Sequence, residues 1–137
     1  MANTIRLEIA TPDAVVYSDD VDMVTLPGVE GEMGILPHHI RLMTQLVPGE
    51  MIVRKDGRED LLAVGEGLVE ITGDSVNILT DMAVPADSID EAKAEAARQQ
   101  AEARLREKIS GQEVASVHAS LARSLAQLNV RRRRRKI

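Results

Sequence analysis

Three glycines spaced three apart, Gly28, Gly31 and Gly34, stand in the stretch LPGVEGEMGILPHH, with Glu30 and Glu32 between them and His38 and His39 at its end. Regularly spaced glycines can bring backbone N–H groups against a phosphate, but such loops also supply a lysine and open a helix whose positive end faces the anion. This stretch has two carboxylates and no lysine, and it runs into Ile35-Leu36-Pro37, a poor way into a helix. No G-x-x-x-x-G-K-[ST] pattern occurs in the chain. The residues fit a tight surface turn between strands, with glycine supplying positive φ and Ile35 and Leu36 returning to a core. His38, His39 and His118 are the only histidines, and neighbours in an extended segment point to opposite faces, which suits a metal badly. No serine or carboxylate pair is placed beside them for nucleophilic or acid–base work. Independent catalysis and a metal site are therefore not expected, and His39 reads as a structural hydrogen-bonding residue of the loop.

The elements that hold this turn are strands. Ile5, Leu7 and Ile9 alternate with polar residues, as do Val69 with Ile71 and Val76 with Ile78. Turn signals recur at Thr11-Pro12-Asp13, Pro48-Gly49, Asp56-Gly57 and Gly73-Asp74, and Asp56-Gly57 is a strong hairpin signal. Short, frequently turned strands predict an antiparallel β-sandwich or flattened barrel over residues 1–87. With one aromatic residue, Tyr17, its core must be aliphatic. Met and Val on its surface could be partly interface, on strands that the pattern does not single out.

After Pro85 the period changes to helical. Ser88 and Glu91 fit a capping box, and Ala94, Ala97, Ala101, Leu105 and Ile109 make one face of a helix, with Glu102 placed to pair with Arg106. Ser110-Gly111 breaks the run, and Val114, Val117, Leu121, Leu125 and Leu128 make the face of a second helix. Residues 88–137 thus predict an antiparallel α-helical hairpin with a basic tail. An alanine face buries little, each buried Leu or Val contributing about 1.5–3 kcal/mol against the entropy of some forty ordered residues. The hairpin needs a docking surface, on the β-domain or on another protein.

Charge divides along the same line. The net charge of −5 on 137 residues splits into −11 over residues 1–87 and +6 over residues 88–137. Opposite halves suit modules with different partners, or modules that attract each other. The absence of cysteine excludes disulfides and fits a reducing compartment. No secretory signal and no apolar run of spanning length is visible, so a soluble protein is expected.

A β-domain carrying PGVEGEMGILPHH, followed by Ile89-Asp90-Glu91-Ala92-Lys93-Ala94 and an alanine-rich hairpin, resembles the epsilon subunit of bacterial F-type ATP synthase, equivalent to mitochondrial delta, over nearly the whole chain. Gly28, Gly31, Gly34, Ile35, Leu36, Pro37 and His39 match the family's loop motif, and Leu7 to Asp13 stands where its opening strand lies. In AVGEGLVEI, Glu66 occupies a position where the family has glycine, which bears on the local turn.

The resemblance implies a non-catalytic rotor subunit of the central stalk of a proton- or sodium-translocating synthase. It would couple rotation of the c-subunit ring to the catalytic head and restrain ATP hydrolysis through the hairpin. The β-domain would bind gamma, and the glycine loop would face the ring, with Glu32 the main contact, Glu30 secondary, and Gly31 and His39 beside them. The extended hairpin would meet the beta and alpha subunits through Arg98, Arg104, Arg106, Lys108 and Arg123. The complex would lie on the cytoplasmic face of the plasma membrane, without insertion of this chain.

Some family members bind ATP on the folded hairpin. Here Ile89, Asp90, Lys93, Ala94 and Arg123 match that motif, but Lys93 replaces its arginine and loses the planar fork, while Gln100, Gln127 and Val84 depart from it. No cofactor is required, and ATP is a regulatory candidate only. Arg131 to Lys136 exceeds the family pattern, and its removal is expected to weaken any inhibition more at low salt than at high salt. The rival reading is a basic-tailed interaction module that binds nucleic acid or another acidic partner. The acidic net charge and the lack of aromatic platforms disfavour nucleic acid.

Overall fold

The computed structural model describes residues 3–136, with side chains described through Arg134. Ten strands precede two helices. They are β1 (Ile5–Ala10), β2 (Val15–Val21), β3 (Met23–Gly28), β4 (Gly31–Ile35), β5 (Leu42–Leu46), β6 (Gly49–Lys55), β7 (Arg58–Val64), β8 (Gly67–Ile71), β9 (Ser75–Thr80) and β10 (Ala83–Pro85). A short 3-10 turn, Ala86–Ser88, leads to α1 (Glu91–Leu105) and α2 (Gly111–Lys136).

The strands form one sheet in the order β10-β7-β6-β3-β5-β8-β9-β1-β2, with β4 hydrogen-bonded to β3 alone. The sheet folds over on itself as a sandwich, nearly closed where the Asp22 amide donates to the Arg54 carbonyl and Lys55 pairs with Asp19. Every pairing is antiparallel except β1 with β9, which is parallel. The alternating residues do what their period requires: Ile5, Leu7, Ile9, Val69, Ile71, Val76 and Ile78 share one aliphatic core with Val24, Leu26, Met51 and Val53, and Tyr17 packs at its edge.

The Asp56-Gly57 turn joins β6 to β7 with φ of 53° and 78°, the doubly left-handed turn that this dipeptide favours. The AVGEG segment bends at Glu66, whose carbonyl accepts from the Thr80 hydroxyl and the Asp81 amide, and the bend is made without a positive φ, so glutamate fits there. Gly67 is the exacting position. A Cβ there would lie 2.0 Å from the Leu79 carbonyl oxygen and 2.8 Å from Thr80 Cα, both backbone atoms. Gly67→Ala should therefore cost about 3 kcal/mol by overpacking, read as a lowered urea midpoint with an unchanged slope.

The hairpin differs from its sequence pattern in three places. Asp90, not Ser88, caps α1: its carboxylate accepts from the Lys93 amide at 3.0 Å, because Ser88 is taken into the preceding 3-10 turn. Glu102 pairs with Arg98 rather than Arg106, since α1 ends at Leu105 and leaves Arg106 beyond the last turn. On α2, Leu125 is exposed, and the residues that pack on the sheet are Ala126 and Val130. Ser110 caps α2 through its hydroxyl, which accepts from the Glu113 amide, and the connection is tightened by Arg104, which pairs with both Glu107 and Glu113.

Candidate functional site

The glycine stretch is a β-hairpin tip. Gly28 and Gly31 face each other across β3 and β4, with Val29 and Glu30 making the turn and Gly31 at φ 124°. A Cβ on Gly28 would approach the Gly31 carbonyl oxygen to 3.0 Å, so the close approach of the strands depends on glycine at position 28, while position 31 needs glycine for its positive φ. The tip is tied to β5 through the Val29 amide, which donates to the Gln45 carbonyl. Glu30, Gly31 and Glu32 are exposed at this rigid turn. No helix opens behind it, so backbone N–H groups are not gathered for phosphate.

His39 lies in the following loop, half-buried, with Nδ1 2.7 Å from the Ile40 carbonyl oxygen, and His38 is left-handed at φ 65°. The same loop leaves Leu36 and Ile40 exposed, at 56% and 83%, with Val29 exposed at the neighbouring tip. The sequence reading returned both Ile35 and Leu36 to the core; Ile35 is buried, whereas Leu36, the next residue of an extended segment, falls on the opposite, solvent side.

A second surface lies on strands that the sequence reading, which allowed surface Met and Val as interface, did not single out. On the outward face of β5, β8, β9 and β1, Leu68 pairs directly across from Leu79, Leu79 from Ala10, and Met43 stands two residues along β5 from Gln45, the partner of Leu68. Met43, Leu68 and Leu79 are 66%, 52% and 57% exposed and line a cleft of about 310 Å³ rimmed by Glu8, Glu70 and Asn77. The outer face of an antiparallel sheet ordinarily carries polar residues, and adjoining large apolar groups mark a contact surface.

The hairpin occupies the other layer. α2 lies on β6 and β7, where Ala126 and Val130 are buried against Leu61, Ala63, Ala86 and Ile89. That contact explains why Leu61-Leu62-Ala63-Val64 is a continuous apolar run: Leu62 and Val64 face the sandwich core, Leu61 and Ala63 face α2.

In this docked position Arg98 is paired with Glu95 and Glu102, Arg104 with Glu107 and Glu113, and Arg123 with Asp81 at 3.4 Å. The hydrogen bonds from Arg98 hold the Glu95 carboxyl below its usual range, and Glu95 in turn raises the Arg98 guanidinium; Glu113 and Glu107 raise Arg104 likewise. Arg106 and Lys108 are exposed at the far end of the hairpin.

The residues weighed for nucleotide are spread. Ile89 is buried beneath α2, Asp90 is the helix cap, and Lys93 and Ala94 line a cleft of about 350 Å³ with Val84, Ser124 and Gln127. Arg123 lines a different groove, between the distal halves of the helices, with Arg104 and Gln100. Among the described residues no group of three His, Asp or Glu is placed to hold a metal, and no helix is long and apolar enough to cross a membrane.

The arginine run is not a free tail. α2 continues through it, and Arg131, Arg132, Arg133 and Arg134 all meet groups of this same chain. The side chains of Arg135 and Lys136, and Ile137, lie outside the described residues. The rival reading of a basic module for nucleic acid or another acidic partner finds no support.

Comparison with known proteins agrees with this architecture. Residues 4–86 match the family described as ATP synthase, Delta/Epsilon chain, beta-sandwich domain, and residues 87–131 match its long alpha-helix domain. The ATP synthase epsilon chain of Herpetosiphon aurantiacus is 44% identical over 131 residues, 96% of each chain. That of Chloroflexus aggregans is 46% identical over 126 residues, 92% of this chain and 91% of its own. In the cryo-EM structure of the Euglena gracilis mitochondrial ATP synthase OSCP/F1/c-ring in rotational state 1, one chain superimposes with a TM-score of 0.78 at 26% identity, covering 94% of this chain and 81% of that one. With β-sandwich, glycine turn and helical hairpin all accounted for, the chain belongs to the ATP synthase delta/epsilon chain family.

Proposed function

We propose that this chain is a non-catalytic rotor subunit in the central stalk of an F-type ATP synthase, peripheral to the membrane on its cytoplasmic face. The observation that carries the reading is the division of one small molecule into three separate surfaces on a rigid sandwich. The acidic turn of Glu30, Gly31 and Glu32, flanked by exposed Val29, Leu36 and Ile40, is the surface for the polar loops of the c-subunit ring, with His39 bracing the loop behind it. The apolar face of Met43, Leu68 and Leu79 is the surface for gamma, because it is the one large exposed sheet face that needs covering. The hairpin on the opposite layer is the movable part, which reaches the beta and alpha subunits when it leaves the sheet.

Such a subunit transmits torque through contacts that do not yield, which suits a short-turned, closely packed sandwich. Regulation then depends on where the hairpin rests, and a partner shifts that balance only by binding one position better than the other. No nucleotide enters this mechanism. The cleft by Asp90 offers one cation, Lys93, and Arg123 stands in another groove.

The test is reconstitution. Full-length chain added to a subcomplex of gamma with alpha and beta that lacks it should bind one to one and slow ATP hydrolysis. Absence of binding at micromolar concentration would overturn the proposal.

A further inference from the structure

The arginine run at the end of α2 meets carboxylates both inside and outside the hairpin: the pairs of Arg132 join α2 to α1, while those of Arg133 and Arg134 reach the sheet and the 3-10 turn before α1. Arg132 meets Glu91 and Glu95 of α1, each at 3.4 Å, Arg133 meets Glu50 at the start of β6, and Arg134 meets Asp87 of the 3-10 turn at 3.4 Å. Arg131 donates to the Ala86 carbonyl oxygen at 3.4 Å. Immediately before them, Ala126 and Val130 make the apolar contact with Leu61 and Ala63. We propose that this arginine run is an ionic latch that holds the hairpin closed on the sheet, so that ionic strength sets how much of the chain has its hairpin docked.

Two features make the contact a latch rather than scattered surface pairing. The first is that the apolar patch beneath is modest: Ala63, Ala86 and Ala126 are half of its buried residues, and Ile52, Met82 and Val84 at its margin stay partly exposed, so charge pairs weigh in the docking balance. The second is the position of Glu50, whose side chain is only 20% exposed. Burial raises its pKa, Glu32 and Glu59 push the same way, and Arg133 is the charge that opposes them. Taking Arg133 away leaves a half-buried carboxylate with no counter-charge, which is worse than never having had the pair. An exposed pair by itself shifts an equilibrium by about fivefold at most, but Arg133 with Glu50 and Arg134 with Asp87 close together on one helix and act on the same step. Arginine stays protonated at all working pH, so salt is the lever that opens this end. The inference concerns the chain by itself and stands apart from the partners proposed above. It also reverses the expectation that the run reaches outward for an acidic partner: cutting it away should free the hairpin.

The chain has no native cysteine, so spin labels on Asp13→Cys and Ser116→Cys report the hairpin's position without interference. At low salt one narrow distance population is expected. Between about 0.05 and about 1 M salt, or on combining Arg133→Gln and Arg134→Gln, the docked-to-undocked ratio should fall at least about tenfold, while amides of β1 and β9 keep their exchange protection. Arg133→Glu should open the hairpin, and Glu50→Arg in the same chain should close it again. A distance population that neither salt nor the double substitution alters would overturn the latch. So would an opening by Arg133→Glu that the charge swap fails to restore, since the arginines would then act through packing and not charge.

Discussion

A chain ending at Asp87 binds the stalk as tightly as the full chain and no longer slows ATP hydrolysis. The expectation rests on where the cores lie. The large aliphatic cluster runs from Ile5 to Ile78 and includes no residue of either helix, so the sandwich keeps its interior when the hairpin is removed. The second cluster, of Leu61, Ala63, Ala86, Ile89, Ala126 and Val130, is divided by the cut, which uncovers Leu61, Ala63 and Ala86 together with the partly buried Ile52, Met82 and Val84 packed against them. That loss lowers stability without dissolving the fold, and thermal unfolding of the truncated chain checks it before any assay. The apolar face of Met43, Leu68 and Leu79 is untouched, so affinity for gamma should change by less than about threefold. Hydrolysis by the reconstituted head should rise at least about fivefold over that with the full chain, the lower range of coupling between distinct sites. Equal slowing by both lengths would place the restraint in the sandwich and remove the hairpin from the mechanism.

The β-sandwich and the helical hairpin were readable because the hydrophobic period changes from two to about 3.6 after Pro85, and because Asp56-Gly57 and the glycine turn each specify a backbone shape locally. Surfaces were less readable, for physical reasons that differ from place to place. Leu68 and Leu79 each stand beside a core residue, Val69 and Ile78, where strict alternation calls for a polar one, and only the sheet register, which brings them side by side, turns two irregularities into a patch. Leu61 to Val64 carried its signal in the open: four apolar residues without alternation describe a strand covered on both faces. The cap of α1 was misplaced by two residues because serine and aspartate are equally good caps, and the choice fell to the 3-10 turn that consumes Ser88. The arginine run could not be read at all from composition. A charge run is usually solvated, and its carboxylate partners lie between 37 and 83 residues away in sequence.

Leu68→Asp should abolish stalk binding while leaving the chain folded. In the free molecule Leu68 is 52% exposed on the outer face of β8, where its neighbour across the strand is Leu79 and the interior of the sandwich is on the other side. An aspartate there stays solvated, and unfolding free energy should move by no more than about 0.5 kcal/mol, as for other surface positions. Against a partner the same carboxylate must be desolvated beside Leu79 and Met43, with Glu70 and Glu8 as its nearest charged neighbours on the rim and no cation among the lining residues. Burying an unpaired charge at the centre of an interface costs at least about 2–3 kcal/mol, the level of a binding hot spot. Affinity for the gamma-containing subcomplex should therefore fall by about a hundredfold, measured by titration calorimetry, and hydrolysis should run as though no chain were present. Glu70→Gln, on the rim of the same cleft, should leave affinity within about threefold, as rim charges do. If Leu68→Asp binds as well as the native chain, this face is not the gamma surface, and the stalk must grip the sandwich at the acidic turn or along the edge strands instead.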